Sequence, residues 1–433
     1  MLATSIVVIC VFLILTLSIL FFPYVRIGKI KVGSYWIVAL IGAALLLTIG
    51  SAPFETVTES LTANTEINPL KILTLFFSMT FLSVFLDEAG LFKFLAEKSV
   101  RLAKGGLYSL FTVFYLLAAA LTVFTSNDIV ILTLTPFICF FCKNLKADPV
   151  PFLVGEFAAA NTWSMALIIG NPTNVYLATT VGIGFFDYFT VMILPTIAAG
   201  AVEFGIVSLL FFRSLKKPVQ PVYEDIAVEN KTDVSIGSLH LVICLLLLVF
   251  SDLIGIPMWI ASAVCAVSLL LFAVAVRLFK KGEWKDLSRA IARLPWQLIP
   301  FIISMFVIVV AIEYRGISGM IGEFLGAGDS IWTYGASSFV ASNLINNIPM
   351  SMLYSSVAAG LSGSAYSKAI YSSIVGSNIG AFLTPIGALA GIMFSSITQK
   401  NGVDYGFKEF VKYGAIVSIP TLFTALAVLQ FTV

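Results

Sequence analysis

Two sets of small polar residues interrupt the otherwise apolar stretches of this 433-residue chain. The first is Thr125-Ser126-Asn127-Asp128, then Asn161-Thr162 and Gly170-Asn171-Pro172-Thr173-Asn174. The second is Asn343 with Asn346-Asn347-Ile348-Pro349, then Ser377-Asn378 and Thr384-Pro385-Ile386-Gly387. Gly and Pro break helices, and each break frees backbone groups. Helix N-terminal ends then offer N–H groups to anions, while C-terminal ends and unwound carbonyls coordinate cations. Asn, Ser and Thr add neutral donors and acceptors. This chemistry suits a small polar or ionic solute that is bound and then released. The plainer alternative is that these residues only kink helices or join them. Their recurrence in matching order in two halves favours a solute site, because broken helices at corresponding places mark the binding site of secondary transporters. The expected lining is Asn127, Asp128, Asn161, Thr162, Asn171, Thr173 and Asn174 from the first half. From the second half come Asn343, Asn346, Asn347, Ser377, Asn378 and Thr384.

Asp128 is the sharpest single residue. A carboxylate near the bilayer centre costs about 2.5–3.5 kcal/mol on insertion scales, so such a group normally has a partner or a task. Asp128 is therefore the expected coupling residue for a proton or a cation, although an acid here would also cap the helix that follows. Glu203 lies well inside an apolar run and is either a second coupling carboxylate or a helix-paired acid. Glu156 sits one turn into its run and is expected to reach the inner interface. His240 is the one histidine and reads as an interfacial anchor, since one imidazole builds no metal site. Trp163 reads as core packing beside Asn161-Thr162. Cys139 and Cys142 read as small buried hydrophobes. No Walker motif is present to supply an ATP-driven engine.

The elements that must hold these residues follow from composition. The chain is 59% hydrophobic and 11% charged, with a mean hydropathy of +1.02, whereas soluble domains carry about 25% charged residues. Apolar runs of about 18 residues or more recur from end to end and describe an all-α polytopic membrane protein. A net charge of +2 gives no basic surface for nucleic acid. The first run, 2–22, lacks a basic leader region and reads as a retained span. The Lys and Arg residues flanking each run set orientation. They give about ten spans, with the N-terminus and the C-terminus both outside.

Within this plan, residues 107–142 form a hairpin entering from the cytoplasm, interrupted at Thr125–Asp128, because bases flank both ends. Its second arm, about 14 residues, is short against the about 20 needed to cross. Residues 151–181 form a broken helix, and 1–213 make the first repeat. Residues 214–235 are expected to be a mobile cytoplasmic linker. The second repeat, 236–433, has a hairpin entering from outside at 331–361 and a broken helix at 365–396. Five crossings per half make the second repeat inverted. Weak internal echoes agree: Leu86-Asp87-Glu88-Ala89-Gly90-Leu91 matches Ile312-Glu313-Tyr314-Arg315-Gly316-Ile317, and Asn127-Asp128-Ile129 matches Asn346-Asn347-Ile348.

Nearly the whole chain resembles the ion-transporter superfamily, and most closely the bacterial arsenite/antimonite efflux permeases (arsenical pump membrane proteins). The resemblance rests on Leu86-Asp87-Glu88-Ala89-Gly90, on Asn127-Asp128 with Leu132-Thr133-Leu134-Thr135-Pro136, and on Pro295-Trp296-Gln297. It rests also on Asn346-Asn347-Ile348-Pro349, Thr384-Pro385-Ile386-Gly387 and Gln399-Lys400-Asn401. It implies an inverted-repeat fold, an elevator-type moving part, and proton-coupled export of trivalent arsenic or antimony as a neutral hydroxide, in some cases with a separate ATPase. Those pumps tend to carry Asp where this chain has Asn161 and Asn378, and Lys where it has Phe382. The Asn-Thr and Ser-Asn pairs are similar instead to the sodium–dicarboxylate and citrate branch.

The expected function is thus a secondary transporter of the cytoplasmic membrane, with arsenite/antimonite export first. A sodium- or proton-coupled citrate or dicarboxylate carrier, or a sodium/proton antiporter, comes next. No cofactor is expected beyond a coupling H+ or Na+. Expected partners are a small solute, the lipid bilayer, a second copy in a homodimer and, if the arsenite pumps are the guide, an ATPase. A channel or a non-transporting receptor is the other class. A channel would conduct faster than a carrier turns over, and the loops are too short for a receptor's signalling domain.

Overall fold

The computed structural model describes residues 2–22, 24–27, 30–63, 68–102, 106–216, 230–280 and 284–433. The first half begins with helices α1 (Leu2–Phe21), α2 (Ser34–Thr48), α3 (Phe54–Thr62), α4 (Pro69–Glu88) and α5 (Leu91–Leu102). It continues with α6 (Leu107–Phe124), α7 (Asn127–Leu145), α8 (Val150–Trp163), α9 (Pro172–Thr180) and α10 (Phe185–Leu210). The second half begins with α11 (Lys231–Val249), α12 (Met258–Lys280), α13 (Lys285–Ala292), α14 (Leu298–Tyr314) and α15 (Ile317–Gly326). It ends with α16 (Ser330–Ile345), α17 (Asn347–Ala358), α18 (Gly363–Gly380), α19 (Leu389–Lys400) and α20 (Phe407–Leu429). Two four-residue helices, Phe212–Leu215 and Ser251–Ile254, follow α10 and α11.

The chain is an all-α membrane protein. Eight of the described helices, α1, α4, α6, α7, α10, α11, α12 and α20, are each long and apolar enough to cross a bilayer. α14 and α15 meet at a 77° bend. Large apolar side chains such as Leu209, Leu253, Phe279 and Phe324 are exposed. In water they would be unstable; against lipid they have the right solvent.

The packing partners recur with an offset of ten elements. α1 packs on α2 as α11 packs on α12, and α4 packs on α12 as α14 packs on α2. α6 packs on α8 as α16 on α18, and α7 packs on α19 as α17 on α9. α10 and α20 pack on each other, where this correspondence exchanges the two partners. Small residues permit the tightest of these contacts. A Cβ on Gly376 would lie 2.1 Å from Ser338 Oγ and 2.2 Å from the Gly335 carbonyl. One on Gly380 would lie 2.4 Å from Ser342 Oγ. The spacing Gly376-x-x-x-Gly380 thus lets α18 seat directly on α16.

Two expectations need correction, and one element was not foreseen. The second arm of the first hairpin, α7, has 19 residues rather than about 14, because the helix continues past Phe141 to Leu145. Its length therefore gives no reason to call it re-entrant. The linker is shorter than expected, since α11 starts at Lys231, capped by Asn230, whose Oδ1 accepts from the Asp233 N–H. Residues 217–229 of the expected linker lie outside the described residues. The loop after α1 is a two-stranded antiparallel ribbon, β1 (Tyr24–Ile27) against β2 (Ile30–Gly33).

Candidate functional site

The polar breaks sit where local chemistry ends a helix. Gly170 ends a short 3-10 turn, Ile168–Gly170, that folds back on the end of α8; a Cβ there would lie 2.3 Å from the Ser164 carbonyl. Asn171 caps α9, accepting from the Thr173 N–H at 3.1 Å, with Pro172 in the first turn. Asn346 caps α17 at φ +72° and ψ 153°, an extended positive-φ conformation that L side chains rarely adopt.

These residues form three clusters. At the first tip, Asn127 Nδ2 donates to Asn161 Oδ1 on α8 at 3.1 Å, and the Asp128 N–H donates to Asn127 Oδ1 at 2.9 Å. At the second tip, Asn343 Nδ2 donates to the Gly380 carbonyl at 2.9 Å and Asn343 Oδ1 accepts from Thr384 Oγ1 at 2.7 Å. Asn346 Nδ2 donates to the Ile386 carbonyl at 2.9 Å, and the Asn347 N–H donates to the Gly387 carbonyl at 3.0 Å. Each tip therefore binds the broken helix of its own half. Among the described residues no hydrogen bond joins the two tips directly.

The third cluster joins the halves. Asn378 Oδ1 accepts from Ser164 Oγ at 2.7 Å and from Asn171 Nδ2 at 2.9 Å. Asn378 Nδ2 donates to Asn174 Oδ1 at 2.6 Å and to the Ile374 carbonyl at 2.8 Å. That is two bonds accepted and two donated, the full capacity of a side-chain amide. Asn174 Nδ2 in turn donates to the Ser164 carbonyl at 2.8 Å. Every member is buried and uncharged.

A cavity of about 330 Å³ opens beside the first tip. Ser126 and Asp128 of the tip face it, with Thr80 of α4, Tyr35 of α2, Arg293, Trp296 and Gln297 before α14, and Leu389 and Met393 of α19. Gln297 Oε1 also accepts from the Gly33 N–H at 2.8 Å, which holds the ribbon at the cavity edge. Arg293 is already engaged: it pairs with Asp87 at 2.7 Å and with Glu88 at 2.5 Å, at the end of α4. Asp87 Oδ2 also accepts from Thr133 Oγ1 of α7 at 2.8 Å.

Of the expected lining residues, Asp128 is on the wall of this cavity; the other twelve are not among its lining. Thr162 turns away from the amides toward Glu203, and Thr173 Oγ1 stays within its own cap on Asn171. Ser377 Oγ is buried with no hydrogen-bond partner among the described residues. Glu156 is corrected. It does not reach an interface but is 1% exposed, and both its oxygens accept from Thr135 Oγ1 at 2.9 and 3.0 Å. A bond across to α7 holds it inside α8. Ser164, Arg293 and Gln297 are site residues that sequence reasoning did not single out. Ser164 lies two residues after Thr162, and Gln297 closes the Pro-Trp-Gln run, so adjacency was the available signal for both. Among the described residues no three His, Cys, Asp or Glu side chains gather as metal ligands.

Comparison with known proteins supplies an independent line. The family described as Citrate transporter, CitMHS, matches residues 25–376. The arsenical pump membrane protein of Yersinia enterocolitica is 29% identical over 375 residues, covering 82% of this chain and 84% of that protein. The arsenical pump membrane protein of Escherichia coli strain K12 is 28% identical over 369 residues, again 82% and 84% of the two chains. The crystal structure of the Alcanivorax borkumensis YdaH transporter superposes with a TM-score of 0.57 over 99% of this chain and 98% of that one. At 14% identity, that likeness is one of fold.

Proposed function

We propose that this chain, which belongs to the citrate transporter family (CitMHS), is a secondary active transporter that exports trivalent arsenic or antimony as a neutral hydroxide in exchange for protons. The chain is a multi-pass membrane transporter of that family. The exported solute and the coupling are our reading, and one observation carries it. The buried junction around Asn378 is entirely neutral, and the neighbouring cavity offers no unpaired base among its described lining residues. Its one described arginine is held by two acids, and Asp128 adds a further negative group. A free tricarboxylate would lose water there without gaining a counter-charge, which is strongly unfavourable. A neutral hydroxide brings O–H donors and oxygen acceptors of the same kind as the Asn and Ser groups.

Asp128 is assigned the coupling role, since it faces the cavity from the tip that bonds to α8. The recurrence of packing partners supports two halves inserted in opposite senses, since α1, α2, α4, α8–α9 and α10 make an odd number of crossings. In this reading α6–α10 and α16–α20 form the moving part and the other helices the scaffold. The hairpins enter from opposite faces of the inner membrane, and both termini lie outside. A homodimer and an ATPase partner belong to the same reading.

A second reading is favoured by the description of the family itself: a citrate or dicarboxylate carrier coupled to sodium or protons. Amides at Asn161 and Asn378 fit it as well. Proteoliposome flux decides between them, with arsenite and citrate each offered under an imposed proton or sodium gradient. Arsenite movement driven by the proton gradient is expected. Citrate movement driven by sodium, with arsenite inert, would replace the first reading with the second.

A further inference from the structure

Glu203 has no part in the cycle just described, yet it is built into the moving helices with unusual care. It lies in α10 at 0% exposure. One carboxyl oxygen accepts from Thr162 Oγ1 on α8, and the other lies 3.0 Å from the Tyr115 hydroxyl on α6. The same hydroxyl is 2.7 Å from the Gly200 carbonyl and receives Trp163 Nε1 at 3.3 Å. Gly200 makes the arrangement possible, since a Cβ there would lie 2.7 Å from the Trp163 ring. Tyr115 is the titratable side chain that faces Glu203. Thr162 and Trp163 face it from α8, and among the described residues no charged group acts on it from α6, α8, α11 or α20.

Hydrogen counting gives this cluster two consistent states. A phenol carries one hydrogen, and a carbonyl can only accept. If Tyr115 donates along its shorter contact, to Gly200, then the contact to Glu203 needs the acid's own hydrogen. Glu203 is then a neutral carboxylic acid that donates to Tyr115 and accepts from Thr162. If the acid loses its proton, the O–H bond breaks, its electron pair stays on the carboxylate, and a water molecule admitted as the helices around the cluster part takes up the proton as hydronium. The Tyr115 hydroxyl then rotates to donate to the anion. Gly200 lies within α10, so its carbonyl keeps its intrahelical bond and is not orphaned. No side chain need leave its rotamer, and neither state strands a polar group. Thr162 is the residue after Asn161, which holds the first hairpin tip through Asn127. A change at the tip therefore reaches the acid through two adjacent residues of α8.

We propose that Glu203 is a proton-carrying site, a buried carboxylic acid that releases and regains its proton during transport, with the Tyr115 hydroxyl switching between the Gly200 carbonyl and the carboxylate while Thr162 donates in both states. The proposal rests on the proton-coupled reading above and adds to it a second titratable group beside Asp128.

Infrared difference spectroscopy of the full chain in liposomes tests it, comparing wild type with Glu203→Gln. A carbonyl band of a protonated carboxylic acid should be lost in the variant at pH 7. In the wild type it should shift on transfer to D2O and vanish on titration to alkaline pH, and Tyr115→Phe should move the pH at which it vanishes. Absence of such a band from position 203, or a band that neither exchanges with D2O nor titrates, overturns the proposal. Should Glu203→Gln fail to fold, Tyr115→Phe against wild type reports the same band, and an unaltered spectrum there overturns the proposal equally. These readouts need no solute. A titrating band without arsenite flux would therefore sink the export reading alone.

Discussion

Asn378 on α18 donates a 2.6 Å hydrogen bond to Asn174 on α9, joining the broken helices of the two halves across 204 positions of sequence. The bond joins the last turn of α18 to the first turn of α9, so it fixes the relative position of the two helices beside their breaks. Because the Asn378 amide makes four bonds, two given and two received, no other side chain of its size can replace it.

The first prediction tests that requirement. Asn378→Asp turns two donors into acceptors facing Asn174 Oδ1 and the Ile374 carbonyl. Leaving the buried Asn174 Oδ1 unpaired costs about 1–3 kcal/mol, while the Ile374 carbonyl keeps its intrahelical bond within α18. Thermal unfolding of the purified variant should shift down accordingly, and solute flux should fall with it. An unaltered unfolding temperature would mean the cluster is not shared between the halves.

The second concerns coupling. Among the described residues the Asp128 carboxylate has no side-chain partner; its backbone N–H is the group that bonds to Asn127. Asp128→Asn should thus change stability by no more than about 0.5 kcal/mol, while flux in proteoliposomes loses its dependence on the imposed proton gradient. Gradient-driven flux at the wild-type level in a folded variant would remove Asp128 from the mechanism.

The third concerns packing between α16 and α18. Gly376 lies against Ser338 and the Gly335 carbonyl with no room for a side chain. Gly376→Leu should overpack the α16–α18 seam and destabilise the protein by about 1–3 kcal/mol. A Leu placed instead at Gly319, where nothing lies within reach of a Cβ, is the control and should be close to neutral.

The fourth concerns insertion. With the five native cysteines replaced, single cysteines at Lys143, in the last turn of α7, and at Glu323, before the second hairpin, should react with an impermeant thiol reagent from opposite faces of the membrane. Labelling of both from one face would end the case for opposed hairpins.

Class and breaks were legible in the amino-acid sequence because they depend on local rules. Lipid as solvent demands long apolar helices, and Asn171-Pro172 or Asn346 ends a helix wherever it occurs. The extent of α7 was not legible, since Phe140 to Leu145 reads equally as helix end or loop until neighbouring helices cover it. The fate of the carboxylates was settled only by tertiary structure. Glu156 meets Thr135, Glu203 meets Tyr115 and Thr162, and Arg293 meets Asp87 and Glu88 across more than 200 positions. Which polar residues face a cavity and which are spent on one another depends on contacts between distant segments. Helical periodicity and charge flanks describe one segment at a time and carry no record of such contacts. The sequence therefore determined that helices break near Asn127, Asn171, Asn346 and Asn378; the packing of the halves decided that Asn378 would close the junction and that Asp128 would face the open space.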